Sequence, residues 1–477
     1  MKKLTAERWS VFAVTSLGAF LVSLDLSIVN VAFPAMARAF PAATRADLAW
    51  VVTGYAIVFG ALLVVGGRTG DRIGLRRVFF GGLGGFLLGS ALCGLAPSVA
   101  LLVAGRVLQG AGAAFLLPTS VGLLLDSVPR ERRSQTVALW SGVGALAVAT
   151  GPSLGSLLVA GPGWRWAFYV NLPVGALAYL WGRKVLPDGG ARDLERARPD
   201  LAGALLLSLA VAALTLAISE GGERGFGHPL VLLAAGAAPA LGALFVRRSA
   251  RHPAPVLDLE LFRSRAFRVA NLATLAYAMA FFAVLLGNIL FLTGVWHYPI
   301  VRAGLAVTPG PLVVALVSGF AGRAVARLGF RAVLLPGSAC FALALVWFAT
   351  RVGVEPAYLA AWLPGTLLMG LGIGLTFPVL SAAAVSTLPP ERFGVGSAVN
   401  QTARQVGGAV GVAILVTILG RPTDAAAALA GFERLWIYGA LMAALSGAVA
   451  TALQPRRRPG PGPVASTTAA SLNESLG

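Results

Sequence analysis

Gly67-Arg68-Thr69-Gly70-Asp71-Arg72-Ile73-Gly74-Leu75-Arg76 returns 255 residues later as Gly322-Arg323-Ala324-Val325-Ala326-Arg327-Leu328-Gly329-Phe330-Arg331. Both copies are short, basic and punctuated by glycine. Each separates two apolar runs of about 20 residues, the length that carries a helix across about 30 Å of hydrocarbon. A second echo, offset by 260, sets Gly110, Gly112, Pro118, Pro129, Glu131 and Arg132 against Gly370, Gly372, Pro378, Pro389, Glu391 and Arg392. Such a duplication predicts two six-helix bundles related as parallel repeats, an arrangement that puts a binding site near the midplane between them.

Fourteen apolar runs lie between Ser10 and Leu453, and the two without an echo, the seventh and eighth, sit between the repeats. The fold class expected is therefore an all-α membrane protein. Residues 1–184 form an N-terminal six-helix bundle, 185–267 an inserted helix pair with its links, 268–454 a C-terminal six-helix bundle, and 455–477 a disordered tail rich in Pro, Gly, Ser and Thr. Composition agrees, with 57% of the 477 residues hydrophobic and 12% charged and a mean hydropathy of +0.80, against about 25% charged in soluble domains. The first run is too long for a cleaved leader and is read as a span.

The net charge of +19 invites a nucleic-acid reading, but the basic residues are scattered through short loops rather than gathered in a patch. About three quarters of them fall on one face when the N-terminus is placed inside, which predicts both termini in the cytoplasm of a multi-pass cytoplasmic (inner) membrane protein. Cys93 and Cys340 lie in apolar runs and read as buried free thiols.

Within the first run, Leu24-Asp25-Leu26-Ser27-Ile28-Val29-Asn30 carries the one carboxylate deep in an apolar segment. An acid at that depth marks a functional site by default, because burying its charge is expensive. The first run ascends and the fourth descends, so Asp25 and Arg106 sit about 12 Å and 10 Å below the same face. A nearby guanidinium favours the carboxylate and an apolar surround the neutral acid, so the pair is a candidate proton switch; a structural ion pair is the alternative. One such site corresponds to about one proton per cycle, which would suit monocations and neutral amphiphiles better than dications.

At the loop, Gly67, Asp71, Arg72, Gly74 and Arg76 form a candidate cytoplasmic latch, against plain topology control. In the fifth run, Gly151, Pro152 and Gly155 allow close approach and a kink, or simply a small-residue packing face. The thirteenth run bears a polar stripe of Asn400, Gln401, Arg404 and Gln405, which together with Asn30, Gln109, Trp140, Tyr277 and Asn288 is the candidate substrate cavity. Interhelical bonding is the alternative for the stripe.

Several stretches in order resemble the major facilitator superfamily, and specifically its fourteen-helix drug:proton antiporter branch. They are Leu24 to Pro34, Gly67 to Arg77, Arg106-Val107-Leu108-Gln109-Gly110-Ala111-Gly112, Gly151-Pro152-Ser153-Leu154-Gly155-Ser156, and Trp164 to Pro173. Two departures stand out: Ser156 where the family often has a second Gly, and Ala326 in place of the acid of the repeated loop. The resemblance implies proton-coupled export of amphipathic organic compounds such as drugs, antibiotics and dyes by alternating access, with Gly151, Pro152 and Gly155 as hinge. It also implies a monomer in the lipid bilayer, no nucleic acid, no metal and no cofactor, the proton gradient supplying the energy.

Other classes fare worse. Lys occurs only at 2, 3 and 184, and none stands in a phosphate-binding Gly-x-x-x-x-Gly-Lys loop. An intramembrane hydrolase needs paired acids, a Ser/His pair or a metal, whereas His228, His252 and His297 all lie outside the runs, so no enzyme is expected. The alternatives kept are a dedicated exporter of one metabolite or antibiotic, a channel and a transporter-like sensor.

Overall fold

The structure, a computed structural model, describes residues 6–129, 133–187, 198–388, 392–420 and 422–453. The tail 455–477 and Glu131, Arg132, Pro389 and Glu391 of the second echo lie outside them. The helices are α1 (Ala6–Ala39), α2 (Arg45–Ile73), α3 (Leu75–Leu95), α4 (Val99–Ser127), α5 (Arg133–Ala160), α6 (Trp166–Tyr169), α7 (Asn171–Val185), α8 (Leu201–Arg224) and α9 (Pro229–Ser249). They continue as α10 (Arg265–Gly294), α11 (Ile300–Val307), α12 (Pro309–Leu328), α13 (Phe330–Arg351), α14 (Leu363–Val385), α15 (Phe393–Leu419) and α16 (Ala425–Ala450). No strand occurs among the described residues.

Among the described residues, thirteen stretches are long and apolar enough to cross a membrane. The sixth expected span is the fourteenth: the single turn α6 followed by α7, about 20 residues together, enough for one crossing. Pro309 splits the tenth span into α11 and α12, because proline at the start of α12 has no N–H to continue the ladder.

The duplication written in the sequence is legible in the packing. Gly74 closes α2 and opens α3 at φ 105°, and Gly329 does the same between α12 and α13 at φ 87°, a backbone region costly for any residue with a Cβ. A Cβ at Gly112 would lie 2.2 Å from the Phe86 amide nitrogen, and one at Gly372 2.5 Å from that of Phe341. Phe86 and Phe341 are themselves 255 apart. Both repeats therefore need a bare backbone where the third helix meets the fourth.

The repeats meet along two seams. α2 packs on α15, and α5 packs on α11 and α12, so each repeat offers its second helix to the other's fifth. The inserted pair breaks the symmetry: α8 lies against both α2 and α15, and α9 stands behind it. The effect on burial is large. Eighteen residues of α2 are buried, but in α12 only Gly310 and Ala321 are.

Candidate functional site

Asp25 on α1 is fully buried at 0% exposure and Arg106 on α4 at 1%. Arg106 Nη1 donates to Asp25 Oδ2 at 2.6 Å and to Gln109 Oε1 at 2.7 Å, while Arg106 Nε donates to the Val51 carbonyl at 2.9 Å. The other carboxylate oxygen accepts from Gln109 Nε2 at 2.8 Å and Asn171 Nδ2 at 3.2 Å. Ser90 on α3 takes the second protons of both amides, at 3.2 and 3.0 Å, and donates its own to the Phe168 carbonyl. The guanidinium also lies 4.2 Å from the Tyr55 ring centre, a cation–π contact in a dry site.

Five helices thus converge on one carboxylate. Charge-assisted bonds of this density are what make a buried pair tolerable. The expected meeting of Asp25 and Arg106 at one depth is observed. Gln109 belongs to this cluster and not to an open substrate cavity, since at 0% exposure it is used up between Asp25, Arg106 and Ser90. Asn171 and Ser90 were not singled out in the sequence; a lone polar residue in the third and sixth spans was the available signal.

Beside the cluster is a cavity of about 10 Å³, room for a single water. It is bounded by Asn30, Thr53 and Arg106 from the N-terminal helices and by Phe282, Gly408 and Ala409 from α10 and α15. The place where the repeats face each other at Asp25 is therefore nearly closed.

The fifth-helix motif connects this cluster to the opposite repeat. Pro152 has no N–H, which leaves the carbonyl of Val148, four residues earlier, without its helical donor. The Ser27 hydroxyl, two residues from Asp25, donates to it at 3.2 Å. A Cβ at Gly151 would lie 2.4 Å from Ser27 and one at Gly155 3.2 Å from Ile28, so α1 rides directly on the motif. On the other side, a Cβ at Gly304 of α11 would lie 2.6 Å from the Pro152 carbonyl and 2.6 Å from Ser156, and the Ser153 and Thr308 hydroxyls are 2.8 Å apart. Ser156, the departure noted above, fills the space against which α11 closes.

The remaining candidates divide. Asn400 donates to Asn271 and Thr274 on α10, at 3.2 and 3.0 Å, and is interhelical glue. Asn288 accepts from Trp436 Nε1 at 3.1 Å inside an aromatic cluster, and half-buried Trp140 donates to the Thr15 carbonyl at 3.2 Å. None of these three borders this cavity. In an apolar bundle an amide or indole N–H settles on the nearest polar atom of the next helix. Tyr277 is fully buried with Phe341 and Phe377 each 4.9 Å away. Gln401 is half-buried, Gln405 is buried beneath Gly60, and Arg404 lies 4.1 Å over the Phe377 ring.

At the loop, Asp71 and Arg72 are half-buried. Gly67 faces Pro118, and a Cβ at Gly70 would press on Thr119 at 2.8 Å, so both are packing positions against α4. Arg76 donates to the Arg183 carbonyl at 2.8 Å, capping α7 of its own repeat. Arg68 is half-buried, and its guanidinium is within electrostatic reach of Asp258, Asp200 and Asp71.

Residues 15–412 match the model of the Major Facilitator Superfamily. The chain is 35% identical over 409 residues to Multidrug resistance protein Stp of Mycobacterium tuberculosis, covering 85% of this chain and 74% of that protein. It is 31% identical over 408 residues to the Methylenomycin A resistance protein of Streptomyces coelicolor, covering 85% of each. Among solved structures, the partially occluded inward-open xylose transporter XylE of E. coli superposes with a TM-score of 0.64 at 14% identity, over 93% of this chain and 97% of XylE. With this match across most of its length, and with duplicated bundles meeting over a buried charge cluster, the chain belongs to the Major Facilitator Superfamily.

Proposed function

We propose that the chain exports amphipathic organic compounds across the cytoplasmic membrane in exchange for protons, by alternating access, as a single chain with both termini inside. The observation that carries this reading is the Asp25 cluster: a carboxylate at membrane depth, ion-paired to Arg106, beside the cavity between the repeats. The names of the relatives, a multidrug resistance protein and a methylenomycin resistance protein, support export as the direction.

The chemistry follows from the geometry. Protonation of Asp25 cancels the charge that holds Arg106, leaving the guanidinium with the Val51 carbonyl and Gln109 Oε1 as its neutral acceptors. A buried cation so exposed draws in water or a new counter-charge, which favours parting of the repeats beside it. Ser27 passes the shift of α1 to the kink in α5, and Gly304 and Thr308 lie against that kink from the other repeat. Proton loading and seam opening thereby bias one two-state element. The test is uptake into inverted vesicles with an imposed pH gradient. Uphill movement of an amphiphilic dye should require the gradient and vanish with Asp25→Asn; gradient-independent, purely downhill flux would reject exchange.

A further inference from the structure

One half-buried cation is not used by this mechanism. Arg404 stands 11 residues into α15, about 17 Å from its cytoplasmic end and hence near mid-membrane. Its guanidinium covers Phe377 at 4.1 Å, and its Nε is shut off from solvent without a hydrogen-bond partner. No carboxylate among the described residues forms an ion pair with it. Asp25 is taken by Arg106, Gln109 and Asn171, and Glu220 pairs with Arg224 at the far end of α8. Beside Arg404, Gln405 Oε1 is likewise buried and unpartnered. One turn on, Gly408 borders the cavity between the repeats, and Phe281 sits 5.0 Å from Phe377.

We infer that Arg404 is a substrate-binding residue for an organic anion, an amphiphile with one carboxylate and an aromatic or bulky apolar body. This rests on the export reading and names the substrate class within it. An uncompensated guanidinium at that depth needs an anion, and its planar fork fits a carboxylate by two parallel bonds. The Phe377–Phe281 platform beneath it suits an apolar body. A cationic amphiphile has the opposite problem: it would approach Arg404, while the buried carboxylate of Asp25 is already held by Arg106, Gln109 and Asn171. The expectation of monocations and neutral amphiphiles over dications counted the charge of Asp25 and not that of Arg404, which stood only as a candidate cavity residue.

The test is binding to the purified full chain in nanodiscs, without any gradient. Three probes share one fluorescent body: pyrenebutyrate, its primary amide and pyrenebutylamine. The carboxylate should bind about tenfold or more tighter than the amide, with the amine weakest, and Arg404→Gln should erase the preference while Arg404→Lys restores part of it. Equal binding of carboxylate and amine by the wild type overturns the inference even if a variant fails to fold. Retained carboxylate preference in a folded Arg404→Gln protein overturns it too. Arg404-dependent carboxylate binding without pH-driven export in vesicles would sink the export reading and leave the anion site standing.

Discussion

Asp25→Asn separates a structural ion pair from a coupling one when read together with Arg106. The substitution keeps the shape and one acceptor oxygen but removes the charge opposite Arg106 Nη1, 2.6 Å away, at a site with 0–1% exposure. Stranding one member of a buried pair costs about 3–5 kcal/mol. Arg106 Nη1, which bonds Oδ2, and Gln109 Nε2 and Asn171 Nδ2, which both bond Oδ1, are then left one acceptor oxygen among the three. Arg106→Gln should cost a similar amount. The double variant removes both charges and should be less destabilised than the sum of the singles by up to about 3 kcal/mol. Chemical unfolding of the purified proteins in detergent measures this cycle, and vesicle uptake under an imposed pH gradient measures coupling. The expected result is a double variant that regains stability but no uphill export. Export driven by pH in Asp25→Asn, or in the double variant, would refute a proton-carrying role. Strictly additive destabilisation would refute the energetic argument.

Other perturbations test the connections around this cluster. Ser27→Ala orphans the Val148 carbonyl that Pro152 already deprives of a donor, so it should lose about 1–3 kcal/mol of stability and slow transport without abolishing its pH drive; unchanged stability and rate would remove Ser27 from the link. Gly304→Val drives a branched side chain into the Pro152 carbonyl and Ser156, where even a Cβ would sit 2.6 Å away. It should prop that seam open, read as faster labelling of a cysteine placed at Ser153 than in the Gly304 protein. Asp71→Asn should cut transport while leaving membrane insertion intact, with Ala326→Asp having the smaller effect; full activity of Asp71→Asn would leave topology control as the sufficient explanation. A single cysteine at Gly227, in the exposed turn between α8 and α9, should be labelled only from outside intact cells, and labelling only in inverted vesicles would reverse the orientation.

The architecture was legible in the sequence because duplication and span length are one-dimensional signals. The Asp25–Arg106 encounter was legible because helix direction and rise convert residue number into depth. Depth, however, does not give azimuth. Gln109 lies one turn from Arg106 and could face the cluster or open space, and only the packing of α3 and α7, which bring Ser90 and Asn171, decides it. The same gap explains Asn400, whose polar stripe was read as a cavity wall and which is tied to Asn271 and Thr274. The Ser27 bond to Val148 links residues 121 apart in sequence; the missing donor at Pro152 was visible, but not who would supply a substitute.

The lopsided placement of the inserted pair has a consequence for traffic. An amphipathic solute concentrates in the lipid before it reaches any protein, and it then arrives sideways. On the α2–α15 flank it meets α8, fixed there by the Thr417 hydroxyl bonded to the Ile218 carbonyl at 2.7 Å and by Gly222, where a Cβ would lie 2.8 Å from Thr417. On the α5–α12 flank no further helix packs across the seam among the described residues, and Leu312, Leu316 and Phe320 are bare. A duplicated protein that began with two equivalent seams has one of them covered, so on the export reading a solute diffusing in the leaflet would meet a bare seam on one flank and a screened one on the other.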